Sequence, residues 1–286
     1  MSRIAYVNGQ YVPHRQAVVH IEDRGYQFAD GVYEVCAISH GRLIDETLHL
    51  RRLARSLGEL RIPPPMTEPA LQCVLRETVR RNRVDHGHLY LQITRGVAPR
   101  DHAFPAGDAP PSLVVTVARQ NRERLAKLAG TGVAVVTLPD QRWGRCDIKS
   151  IALLPNVLAK QTAREQGAYE AWLVDAQGYV TEGASTNAWI VDQQGRLRTR
   201  PLGSDILNGV TRQVLIGVLE AQDVALLEEA FTVAEVHTAS EAFISSSTAI
   251  LLPVIQIDGK KIGTGQPGPL TQRLRAAYRK YSAPIG

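Results

Sequence analysis

The chain has little of what marks a secreted, metal-binding or membrane protein. Its 286 residues include only three cysteines, Cys36, Cys73 and Cys146. They are odd in number and widely spaced, which suits neither a disulfide framework nor a zinc site, so we expect buried, reduced thiols and no metal. No apolar run is long enough to span a membrane, and the polar residues 1–10 carry no apolar signal core. These absences predict a cytoplasmic protein with no membrane partner.

Aromatic residues are also scarce, at 6% of the chain, whereas Lys and Arg exceed Asp and Glu by 33 to 28. The basic residues are scattered along predicted helices, with no basic tail and few clustered aromatics. That pattern argues against nucleic acid as a partner. The net charge of +5 favours a mildly basic, solvated surface with a local basic pocket for small carboxylates.

Secondary-structure signals are spread over the whole chain without an internal repeat. Asn8-Gly9 between two short β-prone runs predicts a hairpin. Further strands are predicted at residues 32–38, 88–95, 112–119, 133–138, 170–175, 187–191, 241–245 and 252–257, and helices at 46–60, 67–82, 154–166, 210–222 and 270–281. A charged stretch ending in Gly130-Thr131-Gly132 favours a domain boundary, with a smaller N-terminal α/β domain at 1–122 and a larger C-terminal domain at 123–286 that carries Lys149. The fold class predicted is α+β, or mixed α/β.

Lys149 and Glu182 are the two residues that carry the most chemical information. Lys149 lies in Arg145-Cys146-Asp147-Ile148-Lys149-Ser150, and Glu182 precedes small residues in Thr181-Glu182-Gly183-Ala184-Ser185-Thr186-Asn187. A lysine can form an imine with an aldehyde cofactor, and a carboxylate can keep a pyridine nitrogen protonated. Pyridoxal phosphate (PLP) needs both to act as an electron sink. Since either residue alone is more often a solvated or capping group, the prediction depends on both segments occurring in this order.

Candidates for binding a phosphate follow these two segments. The stretch Ile206-Leu207-Asn208-Gly209-Val210-Thr211-Arg212 ends a loop and opens a predicted helix, whose free N–H groups and dipole favour an anion, although it is equally typical of an ordinary helix start. Ser245-Ser246-Ser247-Thr248 is a second donor cluster, or a polar strand end. Arg52 in the first predicted helix could pair with a phosphate bidentately, although a surface arginine is the commoner case.

Together these segments resemble the fold-type-IV PLP-dependent aminotransferases, and most of all the bacterial D-amino-acid aminotransferases. The resemblance covers nearly the whole chain, from the hairpin to Pro253. Its segments, in chain order, are Glu22-Asp23-Arg24-Gly25-Tyr26-Gln27-Phe28, Asp30-Gly31-Val32-Tyr33-Glu34-Val35, Thr94-Arg95-Gly96, Arg145-Cys146-Asp147-Ile148-Lys149-Ser150, Val180-Thr181-Glu182-Gly183 and Leu207-Asn208-Gly209-Val210-Thr211-Arg212. The family has a two-domain fold and forms homodimers.

The resemblance also implies roles for individual residues. Lys149 would hold PLP as an imine and move the proton during the reaction, and Glu182 would pair with the pyridine nitrogen. Arg142 and Glu170 would tune the cofactor's ring oxygen. The residues implied to hold the phosphate are Arg52, Val210, Thr211, Ser246 and Ser247, with Val210 and Thr211 acting partly through backbone N–H groups.

Three further residues are implied to bind the substrate carboxylate. They are Tyr33 and the Arg-x-His pair Arg100 and His102, which lies in a loop that reaches into the neighbouring subunit of the homodimer. The arginine would clamp a carboxylate bidentately, while the tyrosine and histidine add donors. The implied reaction is ping-pong transamination between D-amino acids, such as D-alanine, and 2-keto acids, such as 2-oxoglutarate or pyruvate.

Some features leave other activities open. Ala184 stands where the D-amino-acid enzymes commonly begin a serine run, which affects positioning near the cofactor and not the reaction class. Val35-Cys36-Ala37 lacks the arginine of the branched-chain relatives and so argues against that substrate class. The aminodeoxychorismate lyase pattern is a poorer match. An (R)-selective amine transaminase, or an enzyme with both activities, is the main alternative. A PLP lyase is the third possibility. A PLP carrier without turnover is disfavoured because Lys149, Glu182 and the carboxylate-binding residues are intact.

Overall fold

The computed structural model describes residues 3–107 and 109–282, which divide into two compact units. The first unit comprises the described residues through Asn121 together with Ile148–Ala152, and the second comprises Arg122–Asp147 and the described residues from Leu153 onward. The predicted domains 1–122 and 123–286 stay a prediction. The structure differs from them at Lys149, which lies in the short segment that belongs to the first unit. The reason is backbone pairing, since the Tyr33 N–H donates to the Lys149 carbonyl at 3.0 Å.

The first unit begins with the predicted hairpin of β1 (Ile4–Val7) and β2 (Gln10–Pro13). Asn8 and Gly9 have φ angles of 45° and 94°, and positive angles at both central positions are what a two-residue turn of this type requires. The elements that follow are α1 (Arg24–Phe28), β3 (Gly31–Ser39), β4 (Arg42–Leu43), α2 (Glu46–Glu59), α3 (Glu68–Asn82), β5 (Gly87–Thr94) and β6 (Ser112–Arg119). Among the described residues the strands form a six-stranded antiparallel sheet in the order β2-β1-β6-β5-β3-β4.

The core of the first unit lies where helices α2 and α3 pack with this sheet. Its buried apolar side chains include Leu50, Leu53 and Leu57 of α2, Leu71, Leu75 and Val79 of α3, and Leu89, Leu91 and Ile93 of β5. The helical spacing of the leucines and the alternation along β5 explain why one face of each element is apolar. Strand β3 follows the same alternation, but its buried positions include the charged residue Glu34, which is 0% exposed.

The second unit contains a larger, mixed sheet and five helices among its described residues. Its elements are α4 (Arg122–Thr131), β7 (Val133–Pro139), α5 (Leu154–Glu165), β8 (Glu170–Val174), β9 (Val180–Gly183), β10 (Asn187–Val191), β11 (Leu197–Thr199), α6 (Val210–Glu220), β12 (Leu226–Glu228), α7 (Val233–Thr238), β13 (Glu241–Ser246), β14 (Ile250–Ile257), β15 (Lys260–Lys261) and α8 (Pro269–Tyr281). In the described part of this unit the strand order is β12-β11-β10-β13-β14-β7-β8-β9, with β15 paired to β14. Strands β14, β7 and β8 are parallel neighbours, so the predicted mixed α/β class is confirmed.

Two sequence expectations need correction. Residues 121–132, interpreted as a charged stretch at a boundary, contain helix α4. All three cysteines are free, but only Cys36 is buried, and the expectation of burial is wrong for Cys73, which lies on the exposed face of α3. Across residues 3–107 and 109–282, no helix combines the length and apolar character needed to cross a membrane.

Candidate active site

Lys149 is held in the first unit by backbone contacts on both sides of its side chain. Its N–H donates to Oγ of Ser56 at 3.3 Å, its carbonyl accepts from Tyr33, and Ser150 forms a β-bridge with Val32. This pairing directs the Lys149 ammonium over the aromatic ring of Tyr33, with Nζ 4.1 Å from the ring centroid. The predicted cofactor lysine and one predicted substrate residue are therefore adjacent.

A buried ion cluster lies at Arg52 in the same unit. Its guanidinium donates from Nε and Nη2 to the two carboxylate oxygens of Glu34, each at 2.7 Å, and Nδ1 of His49 lies 2.7 Å from one of them. Burial alone would raise the pKa of Glu34, but the charge and hydrogen bonds of Arg52, with those of His49, hold it at about 2. Glu34 is thus the ionic partner of Arg52 in this structure, and the phosphate role of Arg52 stays a prediction.

Glu34 and His49 were missed by sequence reasoning, although the sequence holds a signal for both. Glu34 falls in the buried phase of a strand in which alternate residues face the core, and a buried carboxylate requires a cationic or hydrogen-bonding partner. His49 and Arg52 are three residues apart on α2 and so share one face of that helix.

In the second unit, the groups that hold Glu182 near the end of β9 include Arg142, Asn187 and Leu207. Arg142 donates to it from Nη1, the amide of Asn187 donates from Nδ2 at 3.0 Å, and the backbone N–H of Leu207 lies 3.2 Å from each oxygen. Arg142 is itself held by Asp140, with Nη2 at 2.7 Å from Oδ2. The carboxylate is 6% exposed, so its orientation is set by these partners.

The predicted roles of Arg142 and Glu170 at the cofactor's ring oxygen stay predictions. Arg142 contacts Glu182 and Asp140, as described above. Glu170 is fully buried, accepts a hydrogen bond from Oγ of Ser185 at 2.7 Å, and lies 3.0 Å from Nζ of Lys160.

The predicted phosphate loop does open a helix, α6, with Gly209 as its N-cap residue. A Cβ on Gly209 would collide with Oδ1 of Asn187, so a larger residue there would force the Asn187 side chain to move. Thr211 in the first turn is 2% exposed, and its hydroxyl has no hydrogen-bond partner among the residues that the structure describes. A buried hydroxyl without a partner is costly, and a bound anion at the start of a helix would satisfy it.

The second donor cluster spans the end of β13 and the start of the turn to β14. Oγ of Ser245 accepts the indole N–H of Trp189 at 2.9 Å, so this serine is already engaged. Oγ of Ser246 accepts the N–H of Ala249 at 3.3 Å, which closes the turn from within. Ser247 follows in the turn and is partly exposed, and its role with the phosphate stays a prediction.

Arg100 and His102 are exposed on the loop that follows β5, in the first unit. Both lie against Phe28, since the guanidinium of Arg100 is 5.0 Å from its ring centroid and the ring of His102 is 5.3 Å from it. Within the described ranges of one chain, neither residue forms a hydrogen bond, an ion pair or a ring contact with Tyr33. The structure therefore brings together two of the three predicted carboxylate-binding residues.

The sequence as a whole matches the family model for class IV amino-transferases over residues 31–257. The chain belongs to this family. It is 43% identical over 272 residues to a D-alanine aminotransferase from Bacillus licheniformis, with 95% of this chain and 94% of the relative covered. A D-alanine aminotransferase from Staphylococcus haemolyticus is 39% identical over 277 residues, with 96% of each covered.

Solved structures support the fold. A branched-chain aminotransferase from Thermoproteus uzoniensis, solved with norvaline, is 27% identical with a TM-score of 0.86 over 98% of this chain and 94% of its own. The branched-chain enzyme of Escherichia coli reaches a TM-score of 0.91 over 99% and 95%, at 23% identity, a likeness that concerns the fold alone. Class IV aminotransferases are PLP-dependent, and the unpartnered Thr211 hydroxyl, the Gly209 helix start and the fixed Glu182 carboxylate fit that cofactor.

Proposed function

We propose that this protein transfers amino groups between D-amino acids, such as D-alanine, and 2-keto acids, such as 2-oxoglutarate or pyruvate. Near-full-length similarity to D-alanine aminotransferases from two genera supports this substrate class. The geometric observation that carries the proposal is the position of Nζ of Lys149, 4.1 Å from the ring centroid of Tyr33. It puts the reactive amine beside a phenol that can donate to a carboxylate.

When bound, PLP supplies an aldehyde carbon and an electron-accepting pyridine ring. Lys149 would provide the amine that bonds the cofactor, and its Nζ would then take the α-proton from the substrate and deliver it to the carbon that carried the aldehyde. This role suits a side chain whose backbone is fixed on both sides. Glu182 would hold a proton on the pyridine nitrogen, because a carboxylate beside that nitrogen favours the cationic ring.

We further propose that Arg52, Val210, Thr211, Ser246 and Ser247 hold the phosphate, with Val210 and Thr211 acting partly through N–H groups of the first helical turn. The hydroxyl of Thr211 supports this role most directly because it has no other described partner. Arg52 would contribute its positive charge while remaining paired with Glu34. Arg142 and Glu170 would tune the cofactor's ring oxygen.

The substrate carboxylate would be bound by Tyr33, Arg100 and His102. The proposed assembly is a homodimer in which Arg100 and His102 serve the neighbouring subunit's site. We also propose two domains at 1–122 and 123–286 and a cytoplasmic location, which the three free thiols favour.

Reduction with borohydride tests the cofactor lysine. The wild-type enzyme should carry a pyridoxyl group on Lys149 after reduction, and Lys149→Ala should lose both this label and transamination. Lys127→Ala is a matched control, because Lys127 is exposed on α4 and has no assigned role with the cofactor. A label on any other lysine in peptide maps would overturn the assignment.

A panel of half-reactions tests the substrate class. D-Alanine should bleach the cofactor absorption and 2-oxoglutarate should restore it, whereas L-leucine should do neither. (R)-1-Phenylethylamine lacks a carboxylate and should react more slowly than D-alanine. A faster reaction with L-leucine would favour a branched-chain activity, and a faster reaction with the amine would favour an amine transaminase.

A further inference from the structure

Arg275 is a buried cation on helix α8 that contacts the turn bearing Ser246 and Ser247. It is 5% exposed, and its Nη1 donates to the backbone carbonyl of Ala249 at 2.8 Å and to that of Leu251. Among the described residues it forms no ion pair with a carboxylate. Buried arginines are ordinarily paired with an acid, so a buried guanidinium that bonds backbone carbonyls requires an explanation.

The residue between those two carbonyls is in an unfavourable backbone conformation. Ile250 has a φ of 63°, in the left-handed region that a β-branched side chain rarely adopts. It pairs with Ser246 where β13 and β14 close the turn. Arg275 thus donates to the carbonyls of the residues immediately before and after the strained Ile250. Inside the turn, Oγ of Ser246 accepts the N–H of Ala249.

We propose that Arg275 is a positioning residue for the cofactor's phosphate, which clamps the backbone on both sides of Ile250 so that the turn presents Ser246 and Ser247 to the phosphate. This inference rests on the proposed assignment of those two serines. Strained backbone persists where surrounding contacts over-determine it, and such strain concentrates at ligand-binding sites. Burial and the like charge of Arg279 lower the pKa of Arg275 to about 10, so the clamp remains cationic at neutral pH.

Binding of PLP and of pyridoxal, which lacks the phosphate, to the apoenzyme separates this role from general stabilisation. Arg275→Gln should weaken PLP binding about tenfold, the scale of one charge-assisted hydrogen bond, and should leave pyridoxal binding unchanged. Inorganic phosphate, followed by ³¹P NMR, should also bind more weakly. Arg273→Gln is the matched control, because Arg273 is exposed on the same helix and should leave both affinities unaltered.

A rescue experiment tests the mechanism of the clamp. Glycine adopts a positive φ without steric cost, so Ile250→Gly should remove the need to hold the turn. In the Arg275→Gln background, Ile250→Gly should therefore restore most of the PLP affinity. If Arg275→Gln does not fold, Arg275→Lys provides the same comparison of PLP with pyridoxal, because lysine keeps the positive charge but lacks the planar guanidinium group.

The outcomes are separable. Equal weakening of PLP and pyridoxal, unchanged PLP affinity, or failure of the glycine rescue would overturn the role of Arg275 while the wild-type enzyme still binds PLP. A wild-type enzyme that binds no PLP would overturn the proposed cofactor site itself.

Discussion

Arg24 donates a 2.6 Å hydrogen bond from Nη1 to the backbone carbonyl of Asp101, the middle residue of the predicted carboxylate-binding loop. Its Nη2 lies 3.3 Å from the carbonyl of His102, and its Nε donates to Asp30 at 2.8 Å. The guanidinium is 4.9 Å from the centroid of the Phe28 ring, against which Arg100 and His102 also lie. Arg24 therefore fixes the loop by its backbone, while the side chains of Arg100 and His102 remain exposed.

Arg24→Gln should weaken D-alanine recognition without removing the cofactor. Loss of the two loop contacts frees the backbone between Arg100 and His102, so KM for D-alanine should rise about three- to tenfold, while kcat changes less. The rate with (R)-1-phenylethylamine, which has no carboxylate, should stay close to that of wild type. Steady-state kinetics with both amino donors give KM and kcat separately and so test this expectation.

Arg42→Gln is the control for this prediction, since Arg42 is exposed on β4 and remote in sequence from the loop. Arg24→Lys should recover part of the D-alanine affinity because one donor is kept. A parallel loss with D-alanine and the amine would mean that Arg24 serves only the stability of the fold.

Local signals in the sequence were sufficient for most of the fold. The hairpin at Asn8-Gly9, the helix before Pro63 and the strand Ser112–Arg119 each follow from turn chemistry or side-chain periodicity, which are properties of neighbouring residues. Elements that depend on distant pairing were missed. Short strand β12 exists through its parallel pairing with β11, and α1 is a five-residue helix too short to show a periodic pattern.

For the candidate site, the sequence motifs indicate which residues take part, but they do not indicate which distant residues contact them. Lys149 and Glu182 are proposed from their segments, whereas the pairing of Lys149 with Tyr33 is a long-range contact that no local pattern shows. The partners of Glu182 could not be predicted either. Asn187 donates to both Glu182 and the Leu207 carbonyl, and these contacts depend on how β9, β10 and the loop before α6 come together in the fold.

Glu182→Gln should retain PLP but slow proton transfer. The substitution keeps the shape of the side chain and removes its charge, so the pyridine nitrogen loses the group that favours its protonation. Removing a positioned electrostatic group commonly costs about a hundredfold in rate. Stopped-flow measurement of the half-reaction with D-alanine gives the rate constant. Asn187→Ala, which keeps the carboxylate and removes one of its donors, should cause a smaller loss, and an unchanged rate for Glu182→Gln would remove this role.

The Glu34–Arg52 pair should make stability depend on pH in the acid range. The folded-state pKa of Glu34, about 2, is lower than that of an unfolded glutamate, so the stabilisation is fully present above about pH 4.5 and is lost as the pH falls toward 2. A shift of this size corresponds to roughly 3 kcal/mol. Thermal unfolding of wild type and Glu34→Gln should be compared from about pH 6 to about pH 3, and the difference in stability between the two proteins should become smaller as the pH falls. A stability difference that does not change with pH would contradict the assignment.

Arg100→Ala should reduce activity toward D-amino acids far more than toward amines. Three donors, one of them cationic, would converge on the substrate carboxylate from Arg100, His102 and Tyr33. A hydrogen bond to a charged group contributes about 1.5–3 kcal/mol, so kcat/KM for D-alanine should fall by roughly one to two powers of ten. An (R)-amine has a methyl group or a ring in place of the carboxylate, so kcat/KM for the amine should hardly change in this variant.

The same variant tests the handedness of the reaction. If Lys149 works on one face of the cofactor, the hand of the product is set by the side of the site that receives the carboxylate. Wild type should therefore prefer D-alanine to L-alanine, and Arg100→Ala should narrow that preference because it removes the main anchor on the D side. Arg61→Ala is a matched control, since Arg61 stacks on Phe104 of the same loop at 4.8 Å without a role in binding substrate. Equal losses on D-alanine, L-alanine and the amine, or a wild-type preference for L-alanine, would exclude the carboxylate-binding role and favour the branched-chain or amine alternatives.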